Sequence, residues 1–326
     1  MLGIGLDLSS VSVRGGVSLS AYAVAGNEPK LVADFVNSVF WKGGAAQSGL
    51  SDVITFARTG TATYVDSSGV LQTAADGVAR ENHHIYNGSS WVNEGILHES
   101  EARTNLLLDS NDLTTANWTE NTGNAATAAS TGPDGETSAN SFIPTALPST
   151  HSIYQSTDAI SSGTTYTFSF YVKTAGYDLQ IVFGTGDVTG NPYANIDLTN
   201  GTIDVDASSI ATIVDCENDW YRVSATVESA VATGFLCGIL PIANTAVGRV
   251  PTWTADGTSG VYVYGAQLEV GSTPSSYIPT TSTTVTRAAE TLTIAAADLP
   301  FAYNPVTSKA RLVNTFGWTI TDGGAV

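Results

Sequence analysis

The sequence predicts an all-β protein, and three observations carry that reading. Charged residues make up 13% of the 326 residues, about half the usual share of a soluble domain. Lys and Arg number 12 in all and the first residue is the sole Met, so the side chains that cover solvated helix faces are scarce. Strict period-two alternation recurs instead. In Tyr166-Thr-Phe-Ser-Phe-Tyr-Val172, Tyr166, Phe168, Phe170 and Val172 fall on one face and Thr167, Ser169 and Tyr171 on the other.

Taken in order, residues 1–45 are Gly-, Ala- and Ser-rich, with apolar alternations at Val11, Val13 and Val17 too weak to bury a core alone. Residues 46–103 read as a β-meander. Its strand candidates are Val53–Ala57, Ala62–Val65, Val70–Ala74, His83–Tyr86 and Trp91–Ile96, and turn signals at Asp66-Ser-Ser-Gly69, Asp76-Gly77 and Asn87-Gly88 separate them. Residues 104–290 add period-two pieces at Leu179–Phe183, Ala194–Leu198, Thr202–Val205, Ile210–Val214, Tyr221–Val227, Thr233–Leu240 and Val261–Leu268. About eight such strands with Gly, Asn, Asp and Pro turns between them predict a jelly-roll β-sandwich. Residues 291–326 hold one apolar stretch, Leu292–Ile294, then Pro300 and Pro305, and read as a C-terminal extension.

A formal charge of −18 repels nucleic acid and anionic bilayers and leaves no basic patch to track phosphates. Apolar runs of about 18 residues are absent, and MLGIGLDLSS lacks the basic start and small-residue cleavage site of a secretory leader. The expectation is a chain that neither enters membranes nor leaves by the general secretory route. Cys216 and Cys237 have no second Cys or His at metal spacing, which favours buried free thiols over a disulfide.

Catalytic signatures are sparse. Gly-x-Ser-x-Gly does not occur, although a serine hydrolase of the strand-turn-helix type needs that elbow. His83 and His84 point to opposite faces of a regular strand, so they cannot share an ion without a bend, even with Glu99 and Glu101 nearby. Asp197, Asp204, Asp206 and Asp215 belong to the polar sides of alternating strands, and abundance of acids alone does not make a glycosidase pair. No cofactor is expected. The oxygen-rich loops Gly132-Pro-Asp-Gly-Glu136 and Thr254-Ala-Asp-Gly257 offer ligands for Ca²⁺ without EF-hand spacing, and read first as turns. Sugar rings stack their C–H faces on exposed aromatic side chains flanked by amides and acids. Trp253, Tyr193 and Tyr154 sit in such surroundings and are the candidate glycan contacts, whereas Trp118 and Trp220 read as core.

Several segments follow one another in a recognisable order. They are Glu101-Ala-Arg-Thr-Asn-Leu-Leu107, Trp118, Gly132-Pro-Asp-Gly135, Gly163-x-x-Tyr166-Thr-Phe-Ser-x-Tyr171-Val-Lys173, Trp220-Tyr-Arg-Val-Ser224, Tyr264-Gly-Ala-Gln-Leu-Glu269, Ser276-Tyr-Ile-Pro279 and Val285-Thr-Arg-Ala288. Phe56-Ala-Arg-x-Gly60, Ala62-Thr-Tyr-Val65 and Gly69-Val-Leu-Gln72 precede them. Together, over roughly 55 to 290, they resemble the head-spike fibre domain of tailed bacteriophages and phage-like gene transfer agents. The resemblance implies a jelly roll like that of carbohydrate-binding modules, carried outside a virion, commonly as a homotrimer, and without catalytic residues. Related chains often continue into another β domain where this one ends within about 40 residues, which leaves the jelly roll as the exposed module.

The expectation is therefore a head spike or fibre that binds host-surface polysaccharide, with residues 1–45 as attachment segment to capsid or other virion proteins. A tail fibre or capsid decoration protein is the structural alternative. A capsule depolymerase is the enzymatic one, although the short repeats of a long β-helix are absent.

Overall fold

The structure, a computed structural model, describes residues 31–295 and Asp298. Most of the expected attachment segment, residues 1–30, and nearly all of the 291–326 extension lie outside the described residues. The chain divides into two compact units, residues 1–57 with 291–326, and residues 58–290. Among the described residues there is no α-helix, and every ladder between strands is antiparallel.

In the first unit, β1 (Leu31–Asp34), β2 (Val39–Lys42) and β3 (Ala45–Ala46) form a small sheet that buries Val32 and Phe40. A 3-10 turn at Leu50–Asp52 leads to β4 (Thr55–Ala57), which pairs with the last strand, Thr291–Thr293.

The second unit opens with two hairpins, β5 (Ala62–Val65) with β6 (Leu71–Ala74) and β7 (Arg80–Tyr86) with β8 (Trp91–Leu97), then β9 (Arg103–Asn105). The sandwich follows. Its strands are β10 (Thr119–Asn121), β11 (Gly123–Ser130), β12 (Ala139–Pro144), β14 (Ser152–Thr157), β15 (Thr165–Ala175), β16 (Asp178–Phe183), β17 (Tyr193–Asp197), β18 (Thr202–Asp206), β19 (Ala211–Asp215), β20 (Tyr221–Glu228), β21 (Phe235–Ile242) and β23 (Gly260–Val270). Short β13 (Pro148–Ser149) and β22 (Trp253–Thr254) pair beside it, and β24 (Val285–Arg287) joins β9.

One sheet runs β10-β14-β21-β16-β17-β18 and the other β11-β12-β23-β15-β20-β19. Their central strands, β14-β21-β16-β17 and β12-β23-β15-β20, follow the crossing order of a jelly roll, so the sequence-level fold class holds. Between the sheets lie Phe142, Phe168, Phe170, Ile181, Phe183, Phe235 and Leu268, all at most 1% exposed. Each such side chain contributes roughly 1.5–3 kcal/mol on leaving water. Trp118 joins this core; Trp220 belongs to a second cluster with Tyr171, Tyr264 and Tyr277 on the outer face of the second sheet.

That outer face is where alternation alone misleads. Thr167 and Ser169, the polar side of β15, are fully buried. The segment after β23 crosses them: the Thr167 hydroxyl donates to the Gly271 carbonyl at 2.8 Å, and Ile278 N donates to Gln267 Oε1 at 2.7 Å. Asn105 fastens the crossing, donating through Nδ2 to the carbonyls of Ala266 and Ile278 and accepting at Oδ1 from Leu268 N.

Candidate functional site

Two surfaces of the 58–290 unit collect ligand-competent side chains. The first is the outer face of the β14-β21-β16-β17 sheet. Ile153, Ile239, Ile181 and Ala194 pair in register and point into the core, so the next row, Tyr154, Gly238, Val182 and Tyr193, points outward. Two half-buried tyrosines thus stand on one row, three strands apart, about 14 Å at roughly 4.8 Å per strand step. Gly238 carries no side chain between them and Val182 is buried; a Cβ on Gly238 would come within 2.9 Å of Val182 Cγ2.

The row two residues along this face carries Gln180 and Asn195, both fully buried. The connection after β21 covers them. Gln180 Nε2 donates to the Gly248 carbonyl at 3.0 Å, and Asn195 Nδ2 donates to the carbonyls of Thr245 and Val247 at 2.8 and 2.7 Å. Val250, a β-branched residue at φ 52°, is strained where this strap leaves the sheet, and its N–H donates to Gln180 Oε1.

Trp253, the third sequence candidate, is not on the tyrosine row. Its indole packs edge-on against Tyr177 at 4.7 Å and His151 at 5.0 Å, and His151 Nε2 lies 3.2 Å from the Trp253 carbonyl. The ring packs beside the β13-β22 ladder, half-buried, and its Nε1 has no hydrogen-bond partner among the described residues.

Two acids near this face have carboxyls shifted in opposite directions. Burial raises the Asp178 carboxyl above its ordinary range, and Asp197 and Asp204 add to the shift. Hydrogen bonds from the Asn200 side chain and backbone lower Asp197. Raised and lowered carboxyls suit an acid–base pair, yet both Asp197 oxygens are taken by the turn: Oδ1 accepts from Thr199 N and Asn200 N, and Oδ2 from Asn200 Nδ2. In the oxygen-rich loops, both Asp256 oxygens accept from the Ser259 hydroxyl and the Thr258 and Ser259 N–H groups, whereas Asp134 accepts from Ser138 Oγ and Glu136 N both through Oδ1. Among the described residues no three of His, Cys, Asp and Glu gather as a metal site would need.

The second surface is a cleft of about 760 Å³ between the two hairpins and the outer face of β15, β20 and β19. Its floor carries Tyr171, Arg222 and Val214 in one registered row; its wall carries Trp91 and Tyr86, whose rings lie 5.3 Å apart. Trp91 reaches this position because Gly69 is bare; a Cβ there would fall 2.4 Å from the indole. Trp91 Nε1 donates to Glu217 Oε2 at 2.8 Å. Glu217, Asn218 and Asp219 are three consecutive non-glycine residues at positive φ, a strain that surrounding contacts must hold. Lys173 Nζ donates to the Asn218 carbonyl at 2.7 Å and lies 3.4 Å from Asp219.

His83 and His84 both line this cleft. The bend that a regular strand would deny them is supplied by register shifts on either side of His83 and by Asn82 at φ 57°. Burial lowers the His83 pKa, so the ring is neutral near pH 7 and accepts from Val65 N at 3.2 Å. Cys216 also lines the cleft as a free, half-buried thiol, and Cys237 is free within the core. Sequence reasoning passed over Trp91 and Arg222 because each heads or occupies a plain strand pattern. Only the approach of the hairpins to the sheet makes them neighbours.

No family model and no curated protein matches the sequence. Solved structures resemble the chain weakly. The CBM22-1-GH10 modules of a Clostridium thermocellum endo-1,4-β-D-xylanase 10B complexed with xylohexaose align at 13% identity over 56% of this chain and 30% of that one, with a TM-score of 0.30. The enzymatically active domain of bacteriophage CBA120 tailspike protein 4 aligns at 7% over 51% and 21%, TM-score 0.30. The CBM22-1 xylan-binding domain of Paenibacillus barcinonensis Xyn10C aligns at 13% over 53% and 97%, TM-score 0.30. The chain therefore spans less than a third of the length of the first two, and nothing about its own ligand follows from likeness at this level.

Proposed function

We propose that the chain is a glycan-binding jelly roll of a bacteriophage surface fibre, engaging host polysaccharide without cleaving it. The observation that carries this reading is the registered row Tyr154, Gly238, Val182, Tyr193: two half-buried rings on one sheet face, three strands apart. Such a platform presents apolar faces to successive sugar rings and hydroxyls at its edges. The ordered motifs that resemble head-spike fibre domains support the virion setting, with the N-terminal segment as attachment to the particle and a homotrimer as the assembled form. Weak single-site contacts would then gain from several copies per fibre.

Affinity electrophoresis against a panel of bacterial surface polysaccharides tests the binding. Wild-type retention by at least one, lost in Y154A/Y193A with melting temperature preserved, supports it; equal retention by the double variant sinks the sheet-face assignment. Reducing-end release at substoichiometric protein would replace binding with hydrolysis. Antibody labelling of phage particles under the electron microscope locates the chain, and its absence from particles would remove the virion setting.

A further inference from the structure

We propose that the cleft between the two hairpins and the β15–β20 face is a second saccharide site, selective for an acidic sugar whose carboxylate meets Arg222 while Trp91 and Tyr86 take the ring. The inference is independent of the tyrosine row, which lies on the other sheet of the sandwich.

The charged groups of the cleft decide the ligand's charge. Glu217 accepts from Trp91 Nε1 and Asp215 accepts the Glu217 N–H at 2.8 Å; both keep their negative charge, so a ligand's carboxylate has to sit at the cation and away from them. Lys173 is committed to Asn218 and Asp219. His84 Nδ1 lies 2.7 Å from the Asn82 carbonyl, and His83 accepts from Val65 N. Arg222 remains. Its Nη2 donates to the Ser275 carbonyl at 2.6 Å and to Ser169 Oγ at 3.4 Å, its guanidinium sits 5.4 Å over the Tyr171 ring, and its buried Nε has no partner among the described residues. No carboxylate pairs with it among the described residues; Arg58, Arg80, Arg103 and Arg287 each have one, and Arg249, away from this cleft, also has none. A guanidinium does not shed its proton at working pH, so a half-buried one calls for an acceptor.

Shape and surroundings indicate a sugar. A volume of about 760 Å³ lies within the roughly 300–1,000 Å³ of small-molecule sites. With its N–H held by Glu217 on one side, the Trp91 indole is fixed beside Tyr86 as a stacking wall. The strained turn 217–219 at the same cleft fits a site in which geometry is held against local preference. Within the cleft, Arg222 is the one cation without a carboxylate partner among the described residues, which suits a single carboxylate and not a polyphosphate.

Calorimetric titration of the full chain with glucuronate, galacturonate and N-acetylneuraminate, each beside neutral glucose, tests this. At least one acidic sugar should bind saturably in the millimolar range and weaken as salt is raised, while glucose does not bind. R222Q should weaken it at least tenfold and W91A likewise, and Y154A/Y193A should leave it unchanged. Absence of saturable binding by all three acids, equal binding of glucose, or affinity that survives R222Q overturns the proposal. If R222Q fails to fold, the salt dependence of R222K decides: affinity insensitive to salt also overturns it. Loss of polysaccharide retention in Y154A/Y193A with acid-sugar binding intact separates the two sites.

Discussion

Arg80 and Glu290, 210 residues apart in the chain, meet with both side chains fully buried: Arg80 Nε donates to Glu290 Oε1 at 2.9 Å, and Nη2 lies 2.8 Å from Oε2. Arg58 Nη1 shares Oε1 at 2.8 Å, and Glu290 Oε2 accepts from Glu99 N at 2.8 Å. Glu99 in turn pairs with Arg80 and Arg287 and accepts from the Ser276 hydroxyl at 2.6 Å. The network joins the start of the 58–290 unit to its end. Removing one member leaves an uncompensated buried charge, which typically costs about 3–5 kcal/mol. E290Q is therefore expected to lose about that much in urea denaturation; a loss below about 1 kcal/mol would show that solvent reaches the pair.

The same network sets a pH dependence. Burial alone raises the Glu99 and Glu290 carboxyls, but for Glu99 the Arg80 charge, the Ser276 hydrogen bonds and Arg287 outweigh it, and for Glu290 the Arg80 and Glu99 hydrogen bonds and Arg58 do. Both pKa values end below the ordinary one of about 4.3. A depressed carboxyl contributes stability that is fully present above its unfolded pKa and is lost as pH falls through its folded pKa. The melting temperature is expected to hold above about pH 5 and to fall below about pH 4, with a shallower fall in E99Q. An unchanged slope in E99Q would place the acid sensitivity elsewhere.

W253A separates packing from binding. The Trp253 ring touches Tyr177 and His151 edge-on and is half-buried, so its loss is expected to cost about 2–3 kcal/mol, somewhat below a fully buried ring. Polysaccharide retention of the folded variant should remain near wild type. Retention lost without a fall in melting temperature would return Trp253 to the binding surface.

Burial pushes the Cys216 thiol up to about 11. Since the thiolate is the reactive species, alkylation of Cys216 by N-ethylmaleimide at pH 7.5 is expected to run at least about 100-fold slower than that of a small free thiol. Reducing agent should leave the melting temperature unchanged, because both cysteines are free. Rapid labelling of one thiol per chain would contradict the burial.

The motifs that carry the family resemblance prove largely architectural in the described residues. Asn105 ties Ala266 to Ile278, Gln267 Nε2 donates to Glu269 Oε1 at 2.6 Å, and Arg287 closes on Glu99. Their spacing in sequence reflects which loops must cross one face of a sheet.

By itself the sequence determined the all-β class, the jelly-roll sandwich and the core side of β15, because strand alternation is local and a buried face needs every second residue apolar; the central strands β12 and β14 were not among its strand candidates. It also placed Tyr154 and Tyr193 among candidate contacts, but not on one row. That depended on register across four strands, which hydrogen bonds between distant segments fix. The second strand face read as polar and is buried, since the segment after β23 lies over it. Only the tertiary structure brought Trp91 to Glu217, left Arg222 without a carboxylate among the described residues, and turned His83 and His84 to the same cleft. Contacts of that kind join residues more than a hundred positions apart, and no periodicity within either segment records which partner the fold will bring.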